Sequence, residues 1–251
     1  MASVKQVIEP LLEWLRGDYN SVRYRFYARP KEEMTYFWYR VRGRTWIDFY
    51  SRRMNSMVNK CDRVSDKYLA HGSYQAEYLV AHGLKEQDHI LDYGCGVLRL
   101  AAALFPILPT IHYTGVDISA ERLSKGKTVL SEKGISSDRY DVIVVRDCNL
   151  RELEGQRFDM VWAKSVLTHM PLDDIRVMLA SLRPLLNDRA HVFFTFAERE
   201  KIVRKNVKDF YYPRDVLRNA CENAGYRFEI MADWDPKIRG DVMVRLIAES
   251  V

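Results

Sequence analysis

From about residue 71 onward, short apolar runs alternate with amphipathic stretches. This alternation restricts the possible folds more than any other feature of the chain. HILDY (89–93), IHYTGVD (111–117), DVIVVRD (141–147), RFDMVWA (157–163) and HVFFTFA (191–197) read as strands. They are dense in the Val, Ile and aromatic residues that suit a buried pleated surface. Residues 73–82, 98–105, 119–133, 171 to about 186 and 213–224 read as helices. Ser73 and Ser119 stand in N-cap positions, Pro106 ends the second helix, and Gly83, Gly134 and Gly225 follow three of the others. These are the residues that start and stop helices. YRFEIM (226–231) and DVMVRLIA (241–248) are two last strands, joined by DWDPKIRG (233–240) without a helix. Alternating strand and helix require βαβ units and a mainly parallel sheet, whereas a hairpin reverses direction. The expected class is therefore α/β: seven strands, mainly parallel, with one antiparallel edge strand.

The first 70 residues do not follow this pattern. Val7, Ile8, Leu11, Leu12 and Leu15 give residues 4–16 helical periodicity, and 46–58 are helical in the same way. The chain is expected to divide into an N-terminal helical cap or lid over 1–70 and a sheet domain over 71–251. Residues 16–54 contain ten Lys/Arg, four Asp/Glu and eleven aromatics, and so carry +6 of a total of +5, the remainder being −1. Three readings fit this segment. It can be a cap whose aromatics pack on the core and close a pocket. It can be a lid whose arginines hold an anionic group of the acceptor. It can be a nucleic-acid surface that combines cations with stacking platforms. A membrane-surface role ranks below these, because the cations form no single continuous cluster along the sequence.

Composition narrows the class further. Apolar residues are 47% and charged residues 29% of the chain, ordinary proportions for a globular protein. The apolar stretch nearest to membrane-spanning length, 98–108, is interrupted by Arg99 and Pro106, and residues 1–10 lack the pattern of a signal peptide. A soluble cytoplasmic protein is expected. Cys61, Cys95, Cys148 and Cys221 show no CxxC spacing. Reduced thiols and no metal site are expected.

The chemistry concentrates in the turn after the first strand, Ile90-Leu91-Asp92-Tyr93-Gly94-Cys95-Gly96-Val97-Leu98-Arg99. Two glycines one residue apart permit a tight turn and close ligand approach, and the helix that follows offers unsatisfied amides. Asp117 ends the second strand, 23 residues beyond Gly94. A carboxylate there can take both hydroxyls of a ribose, or can serve the N-terminus of the next helix. The dinucleotide pattern G-x-G-x-x-G needs a third glycine where this chain has Arg99, and it has no role for Asp92.

ILDYGCG resembles the first motif of the class I S-adenosylmethionine-dependent methyltransferases, D-x-G-x-G-x-G, except that Leu98 stands in the place of the last glycine. YTGVDIS (113–119) resembles their second motif, and RFDMV (157–161) with SVLTHMP (165–171) resembles their fourth strand and the segment after it. FYYP (210–213) and AGY (224–226) resemble their final helix and strand. The resemblance covers about residues 71–250 and implies a Rossmann-like fold with S-adenosyl-L-methionine as cofactor and S-adenosyl-L-homocysteine as product.

By the same resemblance, Gly94 and Gly96 pass under the methionine part and Asp92 sits near its amino group. Asp117, with Ile118 beside it, takes the ribose, and Asp147 accepts from the adenine amino group while the backbone of Cys148 contacts the ring. Lys164 lies where the backbone meets the methionine end. Arg99 pairs either with the cofactor carboxylate or with Asp92. His169, after the fourth strand, is the candidate general base, because an imidazole suits proton acceptance near neutral pH. The alternative for His169 is a surface or capping role, and Tyr211, Tyr212 and Glu198 are weaker candidates for the base. The expected activity is methyl transfer to oxygen or nitrogen of a small-molecule or glycan-like acceptor, an anionic one included. The alternatives are an RNA-modifying methyltransferase and an inactive cofactor-binding scaffold, the latter suggested by Leu98.

Overall fold

The computed structural model describes residues 24–58, 66–234 and 241–248. The expected helix at 4–16, Cys61 and residues 235–240 of the last loop lie outside these residues. In the N-terminal part, a single turn over Tyr24–Ala28 leads into α1 (Arg29–Val41), which is followed by α2 (Trp46–Val58) and α3 (Asp66–Ala81). Pro30 opens α1, where a missing amide costs nothing.

The sheet domain contains β1 (His89–Tyr93), α4 (Arg99–Leu104), β2 (His112–Asp117), α5 (Ala120–Glu132), β3 (Tyr140–Val144), β4 (Phe158–Ala163) and α6 (Leu172–Leu182). It continues through β5 (Leu186–Ala197), β6 (Val203–Asn206), β7 (Asp209–Tyr211), α7 (Arg214–Asn223), β8 (Tyr226–Ile230) and β9 (Asp241–Ala248). Seven strands form one sheet in the order β3-β2-β1-β4-β5-β9-β8. All pairings from β3 to β5 are parallel, and β9 runs antiparallel to both β5 and β8. The antiparallel strand is thus one place in from the end of the sheet. The strand order reverses direction between β1 and β4, and in open α/β sheets ligands bind outside the carboxyl ends of the strands at such a point.

Apolar side chains fill both faces. One layer centres on Phe158, Phe194, Phe196, Leu179 and Tyr226, the other on Leu79, Leu100, Tyr113, Trp162 and Phe193. No helix among the described residues is long and apolar enough to cross a membrane.

Four boundaries differ from the sequence reading. The helix expected at 73–82 is α3, which starts at Asp66, so Ser73 is interior and not an N-cap. The Gly72-Ser73 pair looks like a break, but the glycine serves packing: a Cβ there would lie 2.4 Å from the carbonyl oxygen of Arg99. α3 also runs across residue 70. α6 ends at Leu182, before Pro184, which has no amide to continue the ladder. β5 therefore starts at Leu186, where it pairs with Phe158. β3 ends at Val144, the partner of Asp117 at the end of β2, which leaves Asp147 in a loop. Ser119 caps α5 as expected, its Oγ accepting from the amide of Arg122 at 3.2 Å.

Candidate active site

The turn after β1 is locked to the end of β2. The amides of Gly94 and Cys95 donate to the carbonyl of Val116 at 2.8 and 3.0 Å. The amide of Gly96 donates to Asp117 Oδ2 at 2.9 Å. These three amides hold the turn itself. Gly94 and Gly96 adopt φ of +77° and +59°. A Cβ on Gly94 would lie 2.5 Å from Val166 Cγ2, so the turn tolerates no side chain there.

Leu98 also has positive φ, +57°, just before α4. This backbone explains why glycine suits the position, since an L-residue loses about 1–2 kcal/mol in it. The Leu98 side chain is fully buried and packs where Gly126 of α5 leaves room; a Cβ on Gly126 would lie 2.7 Å from Leu98 Cγ. The departure from the glycine pattern is therefore accommodated within the core, and Leu98 is not among the residues lining the cavity described below.

Two buried carboxylates flank the turn. Asp117 Oδ1 accepts from the amide of Ser119 at 2.9 Å, and its pKa is raised by burial, against the pull of the nearby Arg122 guanidinium. Asp92 accepts from the Tyr113 hydroxyl at 2.7 Å. Burial pushes Asp92 up to about 7, with Tyr113 and Arg99 acting to lower it. Burial alone would lower Arg122, but Asp117, Tyr68 and Tyr50 outweigh it. Arg99 stacks over the ring of Tyr68 at 4.4 Å.

A cavity of about 360 Å³ opens between these carboxylates and α2. Asp92, Gly94, Arg99, Asp117, Ile118, Cys148, Lys164 and His169 all line it, so the fold brings together most of the residues picked out in the sequence. Gly96 contributes through its bond to Asp117. Asp147 is not in the lining, and its side chain accepts from the amide of Asn149 at 2.8 Å. Lys164 Nζ donates to Ser165 Oγ at 3.1 Å. Tyr211, Tyr212 and Glu198 lie outside the lining; Tyr212 donates to the carbonyl of Met170 at 2.6 Å, and Glu198 holds Arg214.

Helix α2 forms the roof, with Trp46, Ile47, Tyr50 and Met54 in the cavity wall. Trp46 Nε1 donates to the carbonyl of His169 at 2.9 Å, and Ser51 Oγ donates to the carbonyl of Ile118 at 2.7 Å. The roof is thereby tied to the rim loops after β4 and β2. His169 Nδ1 lies 3.1 Å from the carbonyl of Lys208 and 3.2 Å from Asp209 Oδ1. Both neighbours are acceptors, so Nδ1 carries the proton and Nε2 is left as the basic nitrogen. Lys208 Nζ contacts the same Asp209 carboxylate.

Sequence reasoning missed Arg122, Lys208 and Asp209. Arg122 lies in the first turn of α5 and belongs to no motif. Asp209 comes from the β6–β7 hairpin, just before the FYYP segment, and no reading of that segment pointed to its side chain. Trp46 and Tyr50 did carry a signal, being aromatics four residues apart on one helix face.

A family profile described as a methyltransferase domain matches residues 91–192. "Probable methyltransferase ltbC" of Aspergillus luteorubrus is 26% identical over 148 residues, covering 57% of this chain and 48% of that protein. The chain thus spans about half the length of that curated relative. Magnesium protoporphyrin IX methyltransferase from Synechocystis PCC 6803, solved with S-adenosylhomocysteine, superposes with a TM-score of 0.60 at 16% identity, over 82% of this chain and 100% of that one. The glycopeptide N-methyltransferase MtfA, solved with S-adenosylmethionine, superposes with a TM-score of 0.56 at 15% identity, over 70% and 94%. The matched methyltransferase-domain profile spans β1 to β5 with the glycine turn at its start, and the sheet domain has the fold of these two methyltransferases, solved with S-adenosylmethionine or S-adenosylhomocysteine.

Proposed function

We propose that the chain transfers a methyl group from S-adenosylmethionine to oxygen or nitrogen of a small-molecule or glycan-like acceptor, an anionic one included. The observation that carries this reading is a single cavity that joins the Asp92–Asp117 glycine turn to the basic nitrogen of His169. The cavity fits the cofactor in size, since ligand sites run from about 300 to 1,000 Å³. It fits in chemistry too. Gly94 brings bare backbone to the cavity wall, and two buried carboxylates, Asp92 and Asp117, suit an ammonium group and a pair of hydroxyls. When bound, the cofactor supplies a methyl group activated by its positive sulfur.

In this reading Asp92 holds the amino group and Asp117 the ribose, with Ile118 beside it. The backbone at Cys148 and the carboxylate of Asp147 face the adenine, and Arg99 and Lys164 serve the methionine end. The protein's main contribution is alignment, which can supply several kcal/mol. His169 Nε2 takes the proton of the acceptor, and Asp209 is a positioning residue that keeps the Nδ1–H tautomer. Lys208 lines the cavity beside His169, on the acceptor side, which supports an anionic acceptor. Cys95, Cys148 and Cys221 are buried free thiols, as suits a cytoplasmic enzyme.

Calorimetric titration tests the cofactor. Micromolar binding of S-adenosylmethionine and S-adenosylhomocysteine is expected, with none for NAD and a loss of about 100-fold or more in Asp117→Ala, which removes charge-assisted bonds. Absence of binding for both sulfur ligands overturns the reading. Once an acceptor is in hand, His169→Ala that keeps full turnover from pH 6 to 9 removes the base.

A further inference from the structure

We propose that the outer face of α1 docks onto an anionic lipid bilayer. The inference does not depend on the methyl-transfer reading. Met34, Phe37, Trp38 and Val41 stand at i, i+3, i+4 and i+7 of α1, the spacing of a single helix face. All four are more than half exposed, Trp38 least at 51% and Met34, Phe37 and Val41 each at 59%. The turn before α1 adds Phe26 at 78% and Tyr27 at 61%. Isolated exposed apolar residues need no explanation, but a contiguous stripe of large ones marks an interaction surface.

Charge selects the partner. The two acids of α1 are turned toward the protein, Glu32 to Arg53 of α2 and Glu33 to Arg204 of β6. Arg29, Lys31, Arg40, Arg42 and Arg44 are exposed, and those within α1 border the stripe. By helical spacing Lys31 flanks the stripe on one side and Arg29 and Arg40 on the other, while Arg42 and Arg44 follow at its C-terminal end. That arrangement suits a helix lying in a membrane interface, with apolar side chains inserted and cations reaching up to anionic headgroups. A second copy of the chain laid face to face would bring cation against cation. Nucleic acid favours cations interleaved with single stacking rings, not an unbroken apolar stripe that phosphates would have to cover. On its inner side α1 meets α2 through Tyr36 and Tyr39, against Trp46 and Phe49. The roof of the cavity therefore lies directly under the proposed membrane face.

The test is co-sedimentation of the full chain with vesicles of phosphatidylcholine alone and of phosphatidylcholine mixed with phosphatidylglycerol. Binding to the mixed vesicles is expected, weak or absent on phosphatidylcholine, and falling with salt. Phe37→Glu with Trp38→Glu should abolish it while leaving S-adenosylhomocysteine binding and the thermal unfolding midpoint unchanged. Arg40→Glu with Arg42→Glu should lower the vesicle partition coefficient by about tenfold or more, with a flatter salt dependence. No pelleting with the mixed vesicles at low salt overturns the proposal. So does a dimer in sedimentation velocity that Phe37→Glu with Trp38→Glu dissolves. Salt-sensitive binding of an RNA oligonucleotide through the same residues, without vesicle binding, assigns the face to nucleic acid instead.

Discussion

Strand β4 and helix α1 are both rich in large apolar side chains, yet they use them in opposite ways. β4 buries Phe158, Met160, Val161, Trp162 and Ala163 between two helical layers, and only Asp159 is partly exposed. None of the thirteen residues of α1 is buried. The sheet domain is held by continuous apolar packing on both faces of the strands. The cap is held by a small cluster of Trp46, Phe49 and Val207, by a few tyrosines around it, and by the bonds from Trp46 and Ser51 to the rim loops. Hydrophobic content alone therefore does not indicate whether a segment is core or surface. The difference separates a platform packed on both faces, which carries the turn and the carboxylates, from a roof held by fewer buried side chains.

The largest effect should come from Trp162→Ala. Trp162 is 1% exposed, and its indole donates to Gln75 Oε1 at 3.3 Å. Removing it should cost about 3–5 kcal/mol in urea unfolding. Trp38→Ala, the same change made on α1, should fall within about 0.5 kcal/mol of zero. Similar losses at the two sites would end the distinction between platform and cap.

A smaller effect is expected at Asp92. Its folded pKa of about 7 lies above its ordinary 3.8, so between those values the folded chain holds a proton that the unfolded chain has released. Stability therefore falls as pH rises through that window, and the loss is complete above about 7. Asp92→Asn should stabilise the ligand-free protein by about 1–3 kcal/mol at pH 8. The gain should shrink toward pH 5, and cofactor affinity should fall at the same time. A constant or inverted pH profile would mean that Asp92 stays ionised in the folded state.

The smallest effect concerns the roof. Trp46→Phe keeps most of the apolar contact but removes the bond to His169, which is worth about 1 kcal/mol. Amide exchange should accelerate in α2 and not in β1 or β4. Equal acceleration in all three would show that roof and platform open as one unit.

Much of the platform was legible in the sequence because its constraints are local. A buried parallel strand needs a run such as the FDMVWA of β4, and Ser119 caps its helix through bonds within three residues. The limits of β3 and β5 were misjudged because a strand ends where its neighbour stops offering partners. The start of α3 was missed because Gly72 answers to Arg99, a residue 27 positions away. The β6–β7 hairpin, which brings Asp209 to His169, left no periodic signal in strands of four and three residues.

The sequence by itself determined the alternating α/β plan, the glycine turn and the two carboxylates that flank it, since each depends on neighbouring residues and on the turn chemistry that joins strand to helix. Only the tertiary structure decided that Leu98 belongs to the core, that Arg122 stands beside Asp117, and that Asp209 meets His169. It also decided that the scattered cations of the N-terminal segment gather around one apolar stripe. These outcomes depend on which distant side chains meet across the strand ends and over the cap, and long-range packing sets those meetings rather than any local preference of the chain.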